Sequence, residues 1–178
     1  MERRNGNWTI KKTEKKFDNG FFSVFEDEVV RPDGKNDKYA TIRFQPGVAV
    51  LPIDDEDFVY LTHQFRYALG RKDIEAIAGA VDNESPLAAA KREAKEELGI
   101  EADEWTDLGV TESNTSITNC MATLFIARKL KIGEPKTEET EEIEPVKLKF
   151  DEAMDKVSNG EIAHGETCIL LLKAAARK

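Results

Sequence analysis

The stretch from Ser85 to Ile100 constrains the fold of this chain more than any other. Ser85 can cap a helix, and Pro86 stands where a missing N–H does no harm. Leu87, Ala90, Ala94 and Leu98 recur at helical spacing and predict an apolar stripe that must be covered. Gly99 is a good C′ residue, with Ile100 placed to fold back on the helix end. The helix so defined, Ser85 to Leu98, ends in Arg92-Glu93-Ala94-Lys95-Glu96-Glu97. Glu93 and Glu97 share a face about one turn apart, and Glu96 flanks the same patch. Like charges at this spacing repel by roughly a few tenths of a kcal/mol per pair. Glu96 and Glu97 also sit at the negative end of the helix dipole. A bound divalent cation reverses both penalties, and a hard cation such as Mg²⁺ takes carboxylate oxygens together with a substrate phosphate. The plain alternative is a solvated acidic face in a chain that carries 35 acidic residues.

Strand patterns surround this helix. Phe21-Phe22-Ser23-Val24-Phe25 through Val30 is aromatic and β-branched, Pro32-Asp33-Gly34 supplies a turn, and Tyr39 to Phe44 reads as the returning strand. Pro46-Gly47 then punctuates the chain. Val48 to Ile53 and Phe58 to Leu61 read as two strands around the acidic turn Asp54 to Asp57. Met121 to Ala127 and Val146 to Phe150 read as strands, with an acidic loop from Glu134 to Glu144 between them. Short helices are predicted over Asp151 to Ser158 and from about Glu166 to Lys178. Strands mixed with three helices imply a layered α/β or α+β domain.

With 178 residues the chain can bury a core, hiding roughly 70% of its unfolded surface. Its 26 basic and 35 acidic residues give a net charge of -9, which argues against a nucleic-acid polymer or a membrane surface as partner. An anionic substrate would then need local neutralisation, and a metal held by carboxylates supplies it. Cys120 and Cys168 are too few for a disulfide framework and read as buried apolar fillers. The N-terminal residues lack the apolar core of a signal peptide, and no apolar run is long enough to span a bilayer, so a cytoplasmic protein is expected.

Gly79-Ala80-Val81-Asp82-Asn83-Glu84, seven further residues, and Arg92-Glu93-Ala94-Lys95-Glu96-Glu97-Leu98-Gly99-Ile100 resemble the Nudix box, G-x5-E-x7-R-E-U-x-E-E-x-G-U with U apolar. Every fixed position from Glu84 onward matches, while the Gly79–Glu84 spacer is one residue short. Gln64-Phe65-Arg66 and Ile74-Glu75-Ala76-Ile77-Ala78-Gly79 look like the QFR and E-[LI]-P-A-G segments of the ADP-ribose and nucleoside-diphosphate-sugar pyrophosphatases, with Ile77 in place of the usual proline. Asp151-Glu152-Ala153 follows their order as well.

The resemblance implies a Nudix α/β/α sandwich with a mixed sheet. It implies an N-terminal β extension over 1–46, exchanged between the subunits of a homodimer, and a hydrolase domain over 47–178. Its implied activity is metal-dependent hydrolysis of the diphosphate of a nucleoside diphosphate sugar, with Mg²⁺ or Mn²⁺ as cofactor. Glu93, Glu97, Glu96 and the carbonyl of Ala78 become metal ligands, and Arg92 pairs with Glu84 to fix the loop on the helix. Arg66, Glu75 and Arg43 become candidate substrate contacts. Glu141, or Glu139 two residues before it, becomes the general base. ADP-ribose-selective relatives carry a proline where this chain has Thr115, which favours a broader nucleotide-sugar hydrolase. Phe22, Phe25 and Phe44 are candidates for stacking a base, though alternating strand aromatics usually serve a core. His63 and His164 read as structural. The alternatives are another Nudix substrate, such as a nucleoside triphosphate or dinucleoside polyphosphate, or a non-catalytic binding module of this fold.

Overall fold

The computed structural model describes residues 2–135 and 142–177. Its elements run β1 (Arg3–Asn5), β2 (Trp8–Asp18), β3 (Phe22–Val30), β4 (Asn36–Phe44), β5 (Gly47–Pro52), β6 (Phe58–Arg66), β7 (Arg71–Glu75), β8 (Ile77–Ala80), α1 (Pro86–Leu98), β9 (Ile100–Glu112), β10 (Thr118–Asn119), β11 (Met121–Ile132), β12 (Ile143–Lys149), α2 (Phe150–Asn159) and α3 (Gly165–Ala175). The chain forms two compact units. One is Met1–Pro46 with Glu112–Met121; the other is Gly47–Thr111 with Ala122–Lys178.

The first unit is a sheet in the order β1-β2-β3-β4-β10. β3 and β4 pair antiparallel from Phe22↔Phe44 to Val30↔Asn36. The short β10 joins β4 in parallel, placing Thr118 beside Ile42. The sheet takes in Trp8–Asp18, which the sequence pattern did not mark as a strand. Most of that strand is exposed, so it carries no apolar alternation to read.

The second unit carries two sheets, ordered β8-β5-β11-β9 and β12-β6-β7. β5 is flanked by antiparallel β8 and parallel β11, and it is buried on both faces. Side-chain alternation then divides the core. Val48 and Val50 pack with Ala89, Ala90, Ala94 and Leu98 of α1. Ala49 and Leu51 face the opposite way and pack with Leu170, Leu171 and Ala174 of α3, Phe150 and Ala153 of α2, and Val59 and Leu61 of β6. Helices on opposite faces of one mixed sheet make the α/β/α layering.

Within α1 the expected stripe holds at Ala90, Ala94 and Leu98, but Leu87 in the first turn stays 37% exposed and Ala89 is buried instead. Cys120 and Cys168 are half-buried rather than buried. No helix among the described residues is long and apolar enough to cross a membrane.

Candidate active site

The site is built on α1, and its ends are fixed by short-range chemistry. The Ser85 hydroxyl accepts the Ala88 N–H at 3.2 Å. Gly99 closes the helix in the left-handed region at φ 65°, its N–H directed at the carbonyls of Ala94 and Lys95. A Cβ on Gly99 would meet the Gly133 carbonyl oxygen at 2.4 Å, and the Gly133 N–H donates to the Gly99 carbonyl at 2.9 Å. The helix end is therefore stitched to the end of β11.

Glu97 shares the face of the buried alanines and is only 7% exposed. A carboxylate inside an apolar stripe is costly unless something there uses its charge. Glu93 points beneath β8. A Cβ on Gly79 would stand 1.9 Å from Glu93 Oε1 and 2.0 Å from its Cδ, so the Glu93 carboxylate occupies the space where any other residue would carry its side chain. The Ala78 peptide immediately precedes this cradle, on a strand registered by Ala49↔Ala78.

Arg92 gathers the acidic groups. Its Nε donates to Glu84 Oε1 at 2.9 Å, Nη1 donates to Glu93 Oε1 at 2.7 Å and Glu96 Oε2 at 2.9 Å, and Nη2 donates to the Ala80 carbonyl at 3.1 Å. Burial pulls the guanidinium pKa down, but the bonds to Glu84, Glu93 and Glu96 outweigh it and raise the pKa. The spacer that is one residue short still delivers Glu84 to Arg92. Asn83 takes up the tighter turn at φ 51°, a left-handed conformation that asparagine tolerates.

The Arg66–Glu75 pair lies at the ends of β6 and β7. Arg66 donates Nε to Glu75 Oε1 at 2.9 Å and Nη2 to Oε2 at 2.6 Å. Glu75 is 2% exposed. Burial raises its pKa, but the Arg66 hydrogen bonds hold it below the ordinary glutamate range. Two expected substrate contacts are thus joined to each other. His164, expected to be structural, brings Nε2 to 3.6 Å from Glu75 Oε2. Nothing in its spacing announced this, since α3 is remote from β7 in sequence.

Arg43, the remaining expected substrate contact, lies in the first unit, its guanidinium 4.0 Å from the centre of the Phe25 ring. Phe22 packs on Phe44 there with ring centres 5.6 Å apart. Glu139 and Glu141 lie outside the described residues.

The donor chemistry of Glu93, Glu96, Glu97 and the Ala78 carbonyl, all oxygen, fits a hard divalent cation. Among the described residues no three histidine, cysteine or carboxylate side chains form a ready-made cage. Arg92 holds two of these carboxylates, acting as the counter-charge that lets like charges crowd one helix turn.

The NUDIX domain model matches residues 43–167. The ADP-ribose pyrophosphatase of Bacillus subtilis is 29% identical over 154 residues, covering 85% of this chain and 83% of that one. The methanol dehydrogenase activator of Bacillus methanolicus is 27% identical over 161 residues, covering 89% and 87%. The GDP-mannose pyrophosphatase of Yersinia enterocolitica is 36% identical over 127 residues, covering 64% of each chain. Among solved structures, an ADP compounds hydrolase superposes with a TM-score of 0.87 at 21% identity, covering 98% of this chain and 96% of that one, a likeness of fold. With the Nudix-box residues gathered on one helix and the family model spanning most of the chain, this protein belongs to the Nudix family and is a Nudix hydrolase.

Proposed function

We propose that this Nudix hydrolase cleaves the diphosphate of nucleoside diphosphate sugars, ADP-ribose and GDP-mannose-like conjugates among them, to a nucleoside monophosphate and a sugar phosphate. The observation that carries the reading is the Glu93 carboxylate seated in the space that Gly79 leaves, beside the nearly buried Glu97. Carboxylates kept at such cost argue against a binding module that has lost its chemistry. The names of the Bacillus subtilis and Yersinia relatives support the substrate class.

In this reading Glu93, Glu97, Glu96 and the Ala78 carbonyl hold Mg²⁺ or Mn²⁺. The bound cation would neutralise the diphosphate and lower the pKa of a water. Arg92 yields its share of Glu93 and Glu96 while keeping Glu84, so the loop before the helix stays fixed. Arg66 contacts the diphosphate. Its side-on pair with Glu75 through Nε and Nη2 fixes the plane of the fork that a diphosphate would meet. Glu141, with Glu139 as substitute, accepts the proton of the attacking water. The 1–46 extension joins two copies into a homodimer and brings Arg43 to the partner's site. Exposed Phe17 and Phe21 support an apolar contact there.

A panel of ADP-ribose, GDP-mannose, a nucleoside triphosphate and a dinucleoside polyphosphate, with and without Mg²⁺, tests this. Phosphate release by added phosphatase is the readout. Turnover of the two sugar conjugates, dependent on Mg²⁺, is expected; turnover of the triphosphate alone overturns the reading.

A further inference from the structure

Glu75 is held from two sides. Arg66 grips it from β6, and the start of α3 reaches it from the other direction. Thr167, fully buried, accepts the Ala76 N–H on its hydroxyl oxygen at 2.7 Å. That hydroxyl has one proton to give. It lies 2.8 Å from His164 Nδ1, and directing its proton there makes Nδ1 the acceptor. The imidazole then carries its own proton on Nε2. Nε2 faces two carboxylates, Glu166 Oε2 at 3.2 Å and Glu75 Oε2 at 3.6 Å. Glu75 Oε2 is the same oxygen that receives Arg66 Nη2. The chain of contacts therefore runs from the Ala76 backbone through Thr167 and His164 back to the Glu75 carboxylate.

We propose that His164 is a positioning residue for substrate binding, its Nε2–H set between Glu166 and Glu75 so that Glu75 in turn aims the Arg66 guanidinium at the diphosphate. The inference rests on the reading of Arg66 as a diphosphate contact. His164 touches no substrate; it fixes the rotamer of the carboxylate that fixes the arginine. A bidentate Arg fork delivers its affinity only when its plane is set, and a second polar group beside Glu75 Oε2 biases the plane of the carboxylate that the fork grips.

The test is steady-state kinetics with ADP-ribose and GDP-mannose in Mg²⁺. It compares wild type, His164→Asn, His164→Gln, Arg66→Lys and the double variant Arg66→Lys/His164→Asn. Asparagine keeps a near-side acceptor for the Thr167 hydroxyl but lacks the distal N–H, whereas glutamine reaches the Nε2 position with a donor. His164→Asn should raise KM about tenfold, with kcat within about threefold of wild type, as expected when a polar contact beside a buried carboxylate is lost. His164→Gln should bring KM back to within about threefold of wild type, and His164→Asn should add less than about twofold to KM in the Arg66→Lys background. An equal rise in both backgrounds overturns the inference, as does an unchanged KM in His164→Asn. So does loss of folding in His164→Asn and His164→Gln alike, seen as a collapsed thermal melt, because a packing role would then suffice. If Arg66→Lys leaves KM unchanged, the diphosphate reading of Arg66 falls and takes the inference with it. If Arg66→Lys raises KM while His164→Asn does not, only the inference falls.

Discussion

The carboxylate of Glu93 occupies the position where Gly79 would otherwise carry a side chain, with Oε1 1.9 Å from the place a Cβ would take. A glycine on β8 and a glutamate on α1 are therefore a single steric unit. Gly79→Ala should displace Glu93 and lower kcat by about 10²-fold or more, the penalty typical of a misplaced catalytic group. The far-ultraviolet circular dichroism should match wild type. Near-normal turnover in Gly79→Ala would show that the cradle does not set the position of Glu93.

Glu97→Gln separates charge from shape. The amide fills the same volume, and removing a nearly buried charge spares a desolvation cost. Without metal, the variant should melt at or above the wild-type temperature while losing nearly all turnover in Mg²⁺. Glu93→Gln should also nearly abolish turnover. Metal titration of either protein checks the assignment; activity close to wild type in Glu97→Gln removes Glu97 from the ligand set.

Glu141→Gln should lower kcat by about 10²- to 10⁴-fold with KM and metal affinity nearly unchanged, the range typical of a lost general base. Stopped assays over a substrate series decide it. Turnover within about threefold of wild type would move the role to Glu139 or Glu96.

The depressed pKa of Glu75 gives a pH dependence with a definite sign. A carboxyl whose folded pKa lies below its unfolded value, near 4.3 for an ordinary glutamate, favours the folded state above that value, and this contribution disappears as the pH falls through the folded pKa. Wild type should therefore be more stable than Glu75→Gln at pH 7, and the gap should narrow as the pH drops below about 4. Urea unfolding of both proteins across that range measures it. A gap independent of pH would assign the difference to packing.

What the sequence made legible was local. Ser85, Pro86 and Gly99 delimit α1 because caps act within one turn, and the spacing of Glu93, Glu96 and Glu97 follows from the helical period. The Arg92–Glu84 pair is local too, and it forms despite the shortened spacer. The order of the elements narrowed the fold to a layered α/β or α+β domain, and the resemblance of the box implied the α/β/α sandwich. What stayed hidden is long-range or has little pattern. β2 and β9 are long, mostly exposed strands whose existence depends on neighbours brought from elsewhere. Thr167 and Ala76 are bonded although 91 residues separate them, so no spacing rule could attach His164 to Glu75. Gly79 was visible only as a motif letter; its steric reason appears once β8 lies over α1.

The stitch between α1 and β11 also sets its two glycines apart. At Gly99 every missense change introduces a Cβ 2.4 Å from the Gly133 carbonyl oxygen, on a backbone at φ 65° that other residues rarely adopt. At Gly133 a Cβ would find only the Gly99 carbonyl oxygen at 3.7 Å, an ordinary contact. A saturation library selected for active enzyme should strip the Gly99 codon down to glycine and leave alanine and serine at Gly133. Drift along this lineage is thus free to erase one half of the pair while the other half stays fixed.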